Sequence, residues 1–188
     1  MCLCGERSPN PSFNIEASPP VRTYDLAMRN GEHHYQSHLI WDGNLGDGTS
    51  SYQSYGREYR VEIEGKPVLH GTADVAFRGE ADKFNPEDLF LAAIASCHML
   101  SYLALCSKYG VNIVAYEDSA SGMMKEDARG GGRFENVTLH PVVTIASGDQ
   151  RERALELHER AHELCYIASS CSVPIHHQAT IQVAEGKA

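Results

Sequence analysis

Three residues that could act together in redox chemistry stand out in this chain. Cys97 lies in the apolar run "NPEDLFLAAIASCHMLSYLALCSKYG", with the carboxylate Glu87 ten residues before it, and Cys165 closes the segment "HERAHELC". A thiol becomes a nucleophile only as its thiolate, and burial alone raises its pKa and makes it inert. Cys97 therefore calls for a permanent cation nearby, and arginine is the side chain that stays charged in an apolar site. His98 is a poor base for it, because neighbouring helical residues point about 100° apart. Cys106, nine residues on, falls on nearly the opposite side of such a helix and reads as packing. His158, His162 and Cys165 have an i, i+4, i+7 spacing that offers three metal ligands along one helical face. Cys2-Leu3-Cys4 is a second, slighter metal-like pattern.

The elements that must position these groups follow from the patterning. Asn85 suits an N-cap, Pro86 the first helical position, Glu87 and Asp88 the positive end of the dipole, and Gly110 the stop. The spacing predicts a helix of about 23 residues, about 34 Å long, apolar on nearly every side and so buried at the centre of the fold. Over its length Glu87 and Cys97 are separated by about 15 Å of rise, so a third residue must connect them. Strands are predicted over His34–Trp41, near Ser51–Tyr55 and over Arg60–Glu64. Two long strands, "VNIVAYEDSASGMM" and "RFENVTLHPVVTIAS", follow the helix, and Val137, Leu139, Val143 and Ile145 share one face of the second. A second helix opens at Asp149 with a stripe through Ala154, Leu157, Ala161, Leu164 and Ala168, and "QATIQVA" is the last strand. The order βββ-α-ββ-α-β predicts an α+β domain with both helices against an antiparallel sheet. Residues 1–30 hold four of the eight prolines and read as an extended arm, leaving 31–188 as one domain.

A net charge of −9 with no Lys/Arg cluster argues against nucleic acid or an anionic membrane surface as partner. No uncharged apolar run reaches the roughly 20 residues that span a bilayer, and no secretory leader opens the chain, so a cytoplasmic setting with reduced thiols is expected. The chain has no nicotinamide or flavin fingerprint, and no bound cofactor is expected.

"NPEDLFLAAIASCH", followed about seventy residues later by "AHELC", resembles the OsmC/Ohr family of thiol-dependent hydroperoxide reductases. The resemblance runs from about Tyr35 to Val183. It implies that Cys97 is the peroxidatic thiol, Cys165 the resolving thiol and Glu87 the carboxylate that holds an activating arginine. The family's arginine lies in the turn after the first strand, where this chain reads "NLGDG", so the candidates here are Arg57 and Arg78. "CYIASSCSVP" replaces the Cys-Pro of the hydroperoxide-specialised branch and implies a more distant OsmC-like branch. The resemblance further implies an organic hydroperoxide as substrate, hydrogen peroxide as a second one, an external dithiol, small thiol or lipoylated protein as electron donor, and an interwoven homodimer. The competing reading of the same residues is a non-catalytic redox-sensing, small-ligand or metal-binding module.

Overall fold

The domain is built on the helix that Asn85 starts. The computed structural model describes residues 31–185; the proline-rich arm and the Cys2-Leu3-Cys4 pattern lie outside the described residues. Helix α1 runs Pro86–Lys108. The Asn85 side chain accepts the Asp88 N–H at 2.8 Å, and the Asp88 carboxylate accepts the Asn85 N–H at 3.2 Å, a reciprocal capping box. Glu87 and Asp88 sit in the first turn and Lys108 in the last, each at the end of the dipole that favours its charge. Gly110 leaves the helix in the left-handed region at φ 75°, where a Cβ would be strained.

Three strands precede α1: β1 (His38–Trp41), β2 (Tyr59–Glu62) and β3 (Leu69–Gly71), paired antiparallel in that order. The segment Ser51–Tyr55 is not a strand. It is a turn cluster with one isolated bridge, Asn44 to Tyr55, because its serines bond one another and nearby backbone instead of a neighbouring strand. Tyr59 pairs with Gly71 and lays its ring over it, so any Cβ at Gly71 would fall 2.3 Å from the ring.

After α1 the two predicted long strands each bend once and become four: β4 (Ile113–Asp118), β5 (Ser121–Glu126), β6 (Gly132–Leu139) and β7 (Pro141–Ile145). The bends face each other. At the level of Ser119 and His140 the ladder is interrupted, Pro141 has no N–H to give it, and the Asp118 carboxylate accepts the His140 N–H at 2.8 Å. The predicted last strand, "QATIQVA", is β9 (Thr180–Val183), and a strand that was not predicted, β8 (Ile175–His177), precedes it, the two separated at the same level as the break between β6 and β7. β4 and β5 pair antiparallel with β7 and β6, whereas β8 and β9 run parallel to β6 and β7, so two mixed three-stranded sheets, β4-β7-β9 and β5-β6-β8, stand where one antiparallel sheet was expected. The alternation survives the bend: Val137, Leu139, Pro141, Val143 and Ile145 are all buried, facing the helices.

Helix α2 (Arg151–Leu164) and the single turn α3 (Tyr166–Ser169) complete the order. Ala154, Leu157 and Ala161 are buried as the stripe predicts, but the helix stops at Leu164, which is exposed. α1 is buried along one stripe only, Ile94, His98, Tyr102, Leu105 and Cys106. Ile94 packs with Val137 and Leu139, and the C-terminal half packs with α2, β7 and β9. By length and composition α1 could cross a bilayer, yet this stripe is core. The expectation of a helix buried all round fails for the single chain, since Leu100 is 63% exposed.

Replacing Asn85 with Ala removes one half of the capping box and is expected to lower the unfolding free energy by about 1 kcal/mol. The urea midpoint at unchanged m-value measures it; an unmoved midpoint would mean that Pro86 and the acidic first turn suffice.

Candidate active site

Cys97 and Cys165, 68 positions apart in sequence, meet because α2 ends where it does. Cys165 leaves the helix with φ −74° and ψ 110° and becomes the N-cap of α3, which turns its side chain inward. It is wholly buried, whereas Cys97 on α1 is half-buried. Burial is the main cause that pushes the Cys165 thiol up to about 11; Cys97 against it raises it further, and the Ala168 N–H, donating to Cys165 Sγ at 3.4 Å, opposes the rise. At neutral pH Cys165 is therefore a protonated thiol. Cys97, Cys106, Cys165 and Cys171 are free thiols, and Cys106 is buried in the core as expected of a packing residue.

Glu87 is half-buried and forms no ion pair among the described residues. Its charge is felt by Tyr59 on β2, whose phenol is raised first by burial and then by the charges of Glu87 and Asp88. Neither candidate arginine is engaged with it in the single chain. Arg57 lies 4.3 Å over the Tyr52 ring and 4.1 Å over the Tyr55 ring and donates to the carbonyls of both tyrosines, a cation–π clamp within its own loop. Arg78 is exposed and sits in the left-handed region at φ 70°, ending the short 3-10 turn Val75–Phe77 that Asp74 caps.

His98 does not face Cys97. It turns onto the core stripe, where its Nε2 lies 3.1 Å from Nδ1 of His158 on α2. The ring centres are 5.4 Å apart and the planes differ by 6°. The two distances differ by 2.3 Å, the two ring radii, so the nitrogens face one another as a hydrogen-bonded pair and do not converge on a shared ion. Tyr102 stacks on His158 at 3.8 Å and donates its hydroxyl to the Ala154 carbonyl at 3.0 Å. His177 lies 5.6 and 5.8 Å from the two rings and pairs with Glu159 at 3.4 Å, and His162 is 6.3 Å from His177. His98 Nδ1 and His158 Nε2 are buried without a partner. Burial first, then neighbouring imidazoles, lowers His98 to about 4 and His158 to about 3.

The metal reading of His158, His162 and Cys165 does not take shape: Cys165 is no longer helical, His158 faces α1, and no group of three or more potential ligands is arranged to hold a metal ion among the described residues. The histidine pair escaped sequence reasoning because its halves are 60 positions apart. The available signal was the spacing of four that sets Ile94, His98 and Tyr102 on one face. Beside α1 lies a cavity of about 510 Å³, floored by Phe90 and Phe134 with ring centres 5.1 Å apart, and lined also by Cys171 and Val173, with Arg133 and Glu135 at its rim.

A family model described as OsmC-like protein matches residues 79–179, more than half of the chain and the segment that holds both thiols. The chain belongs to the OsmC-like family. Solved structures repeat the fold of this OsmC-like protein. An OsmC-like protein of unknown function from Vibrio cholerae is 24% identical, with a TM-score of 0.70 over 79% of this chain and 100% of that one. An organic hydroperoxide resistance protein from Elizabethkingia anophelis is 19% identical, with a TM-score of 0.59 over 81% and 99%. That of Bacillus subtilis is 22% identical, with a TM-score of 0.52 over 79% and 98%. No curated protein matches the sequence.

The histidine pair makes stability pH-dependent. The unfolded chain takes up protons at these histidines near pH 6.5, whereas the folded protein resists until about 4 and about 3. The unfolded state thus binds more protons, and stability falls as pH drops from about 6.5 towards 4, by up to about 1.4 kcal/mol per pH unit for each histidine. The double variant His98→Leu/His158→Leu should lose this part of the slope between pH 7 and 5 in urea titrations; equal slopes would contradict a buried neutral pair.

Proposed function

We propose that this OsmC-like protein is a thiol-dependent peroxidase that reduces organic hydroperoxides, and hydrogen peroxide as a second substrate, in the cytoplasm. The single observation behind this reading is the half-buried Cys97 set against the buried, protonated Cys165. The fold shared with organic hydroperoxide resistance proteins supports the reaction class. The Cys97 thiolate attacks a peroxide oxygen and the O–O bond breaks. The departing alkoxide takes a proton and leaves as an alcohol, and Cys97 becomes a sulfenic acid. Cys165, which holds its proton and does not compete for the peroxide, then condenses with the sulfenic acid; water leaves and a disulfide remains. An external dithiol, a small thiol or a lipoylated protein restores both thiols. Phe90 and Phe134 give an apolar hydroperoxide a bed beside the same helix.

The active form in this reading is a homodimer. Tyr35, Leu39, Trp41 and Val68 around the β1–β2–β3 sheet and Leu100 on α1 are exposed in the single chain, more apolar surface than a lone domain usually leaves in water. A second copy would cover them and bring Arg57 or Arg78 to the unpaired Glu87. One observation favours a second reading, a redox-sensing or small-ligand module: neither arginine engages Glu87 within one chain.

With dihydrolipoamide or dithiothreitol as donor, cumene or tert-butyl hydroperoxide should be consumed catalytically, and Cys97→Ser should abolish consumption. Oxidation that stops after one equivalent in the wild type would favour the sensor. Sedimentation at twice the 20.7 kDa of one chain is expected, with Leu100→Asp shifting the population to monomer; a wild type that sediments as monomer would remove the dimer.

A further inference from the structure

Reduction of a Cys97–Cys165 disulfide poses a problem of access. Cys97 Sγ is only partly open and Cys165 Sγ is wholly buried, so an outside thiol reaches neither sulfur freely. The structure holds a thiol of its own on the other side. Cys171 is half-buried and lines the cavity of about 510 Å³, and its S–H donates to the Ala168 carbonyl at 3.4 Å. The N–H of that same Ala168 donates to Cys165 Sγ at 3.4 Å. The two sulfurs thus bracket one residue of α3, one facing Cys97 and the other facing the cavity. Only a single exposed turn separates them: Tyr166 is 79% exposed, and a lone four-residue turn costs little to unwind.

We propose that Cys171 is a third redox thiol, which passes the oxidation from the buried Cys97–Cys165 disulfide to the cavity. This rests on the oxidation of Cys97 and Cys165 set out above. The Cys171 thiol gives up its proton to solvent and attacks Cys165 Sγ; the S–S bond to Cys97 breaks and Cys97 leaves as thiolate. The new Cys165–Cys171 disulfide carries the same two oxidising equivalents. A dithiol in the cavity reduces it with two electrons and two protons, leaving as its own cyclic disulfide and freeing Cys165 and Cys171 as thiols. The aromatic side chains of Phe90 and Phe134 fit a dithiol that has a hydrocarbon body, of which dihydrolipoate is the simplest probe.

The test uses the full chain oxidised with one equivalent of diamide, or separately of cumene hydroperoxide, then quenched in acid, alkylated and mapped by peptide mass spectrometry. The wild type should show both Cys97–Cys165 and Cys165–Cys171 linkages. In Cys171→Ser, which keeps a donor to Ala168, only the first should remain, and its reduction by dihydrolipoate should slow at least about tenfold. Cys171→Ala, with the wild-type circular dichroism spectrum, should behave alike. Absence of the Cys165–Cys171 linkage in the wild type, or equal reduction rates in the variants, overturns the relay. If diamide produces both linkages while hydroperoxide leaves Cys97 reduced, the peroxidase reading falls and the thiol relay stands.

Discussion

The hydrogen bond between His98 and His158 is the contact on which the arrangement of the two thiols depends. It joins α1 to α2 inside the core, where an unpaired polar group costs about 1–3 kcal/mol, and it leaves one nitrogen of each ring without a partner. Apolar side chains at both positions would pack without that cost. What the pair supplies is register: with Tyr102 stacked on His158 and bonded to Ala154, α2 has one position along α1. Cys165 follows His158 by seven residues, two helical turns, so fixing His158 fixes where the end of α2 delivers the second thiol. Cys97, adjacent to His98 but turned about 100° from it, is the residue it meets.

The site so formed is asymmetric. One thiol is half-open and the other is sealed under α3, and the environment that keeps Cys165 protonated also makes it hard to reach. Solved structures with this fold include organic hydroperoxide resistance proteins, and this chain lacks the Cys-Pro sequence that the resemblance would place at the second thiol. "CYIASSC" folds into a one-turn helix in which Ala168 is tied to one sulfur through its N–H and to the other through its carbonyl. The departure comes with an additional cysteine placed at the cavity.

The single chain is unfinished elsewhere. The β1–β2–β3 sheet meets the rest through Tyr59 near Glu87 and through the bridge from Gly71 to Phe84, while its aromatic and aliphatic side chains remain in water. α1 is apolar all round but buried along one stripe. Glu87, in the first turn of α1, also stands without a cation among the described residues.

Local rules carried the reading far. Asn85, Pro86, Asp88 and Gly110 determine the limits of α1 because caps and breakers act over a few residues, and the alternation from Val137 to Ile145 marks the core face because a strand's period is two. The motif around Cys97 and Cys165 pointed to the family and to both thiols. Sequence did not show that the long strands bend together at Ser119 and His140, that β8 and β9 run parallel to their neighbours, or that α2 stops one residue before Cys165, since each follows from pairing across the sheet or packing of a helix end. Nor did it join His98 to His158, or draw Arg57 into the clamp of Tyr52 and Tyr55. The residues that could do chemistry were legible one at a time; which of them touch was decided only by the tertiary structure, because contacts between positions 60 or more apart depend on how the apolar faces of α1, α2 and the bent sheet close on one another.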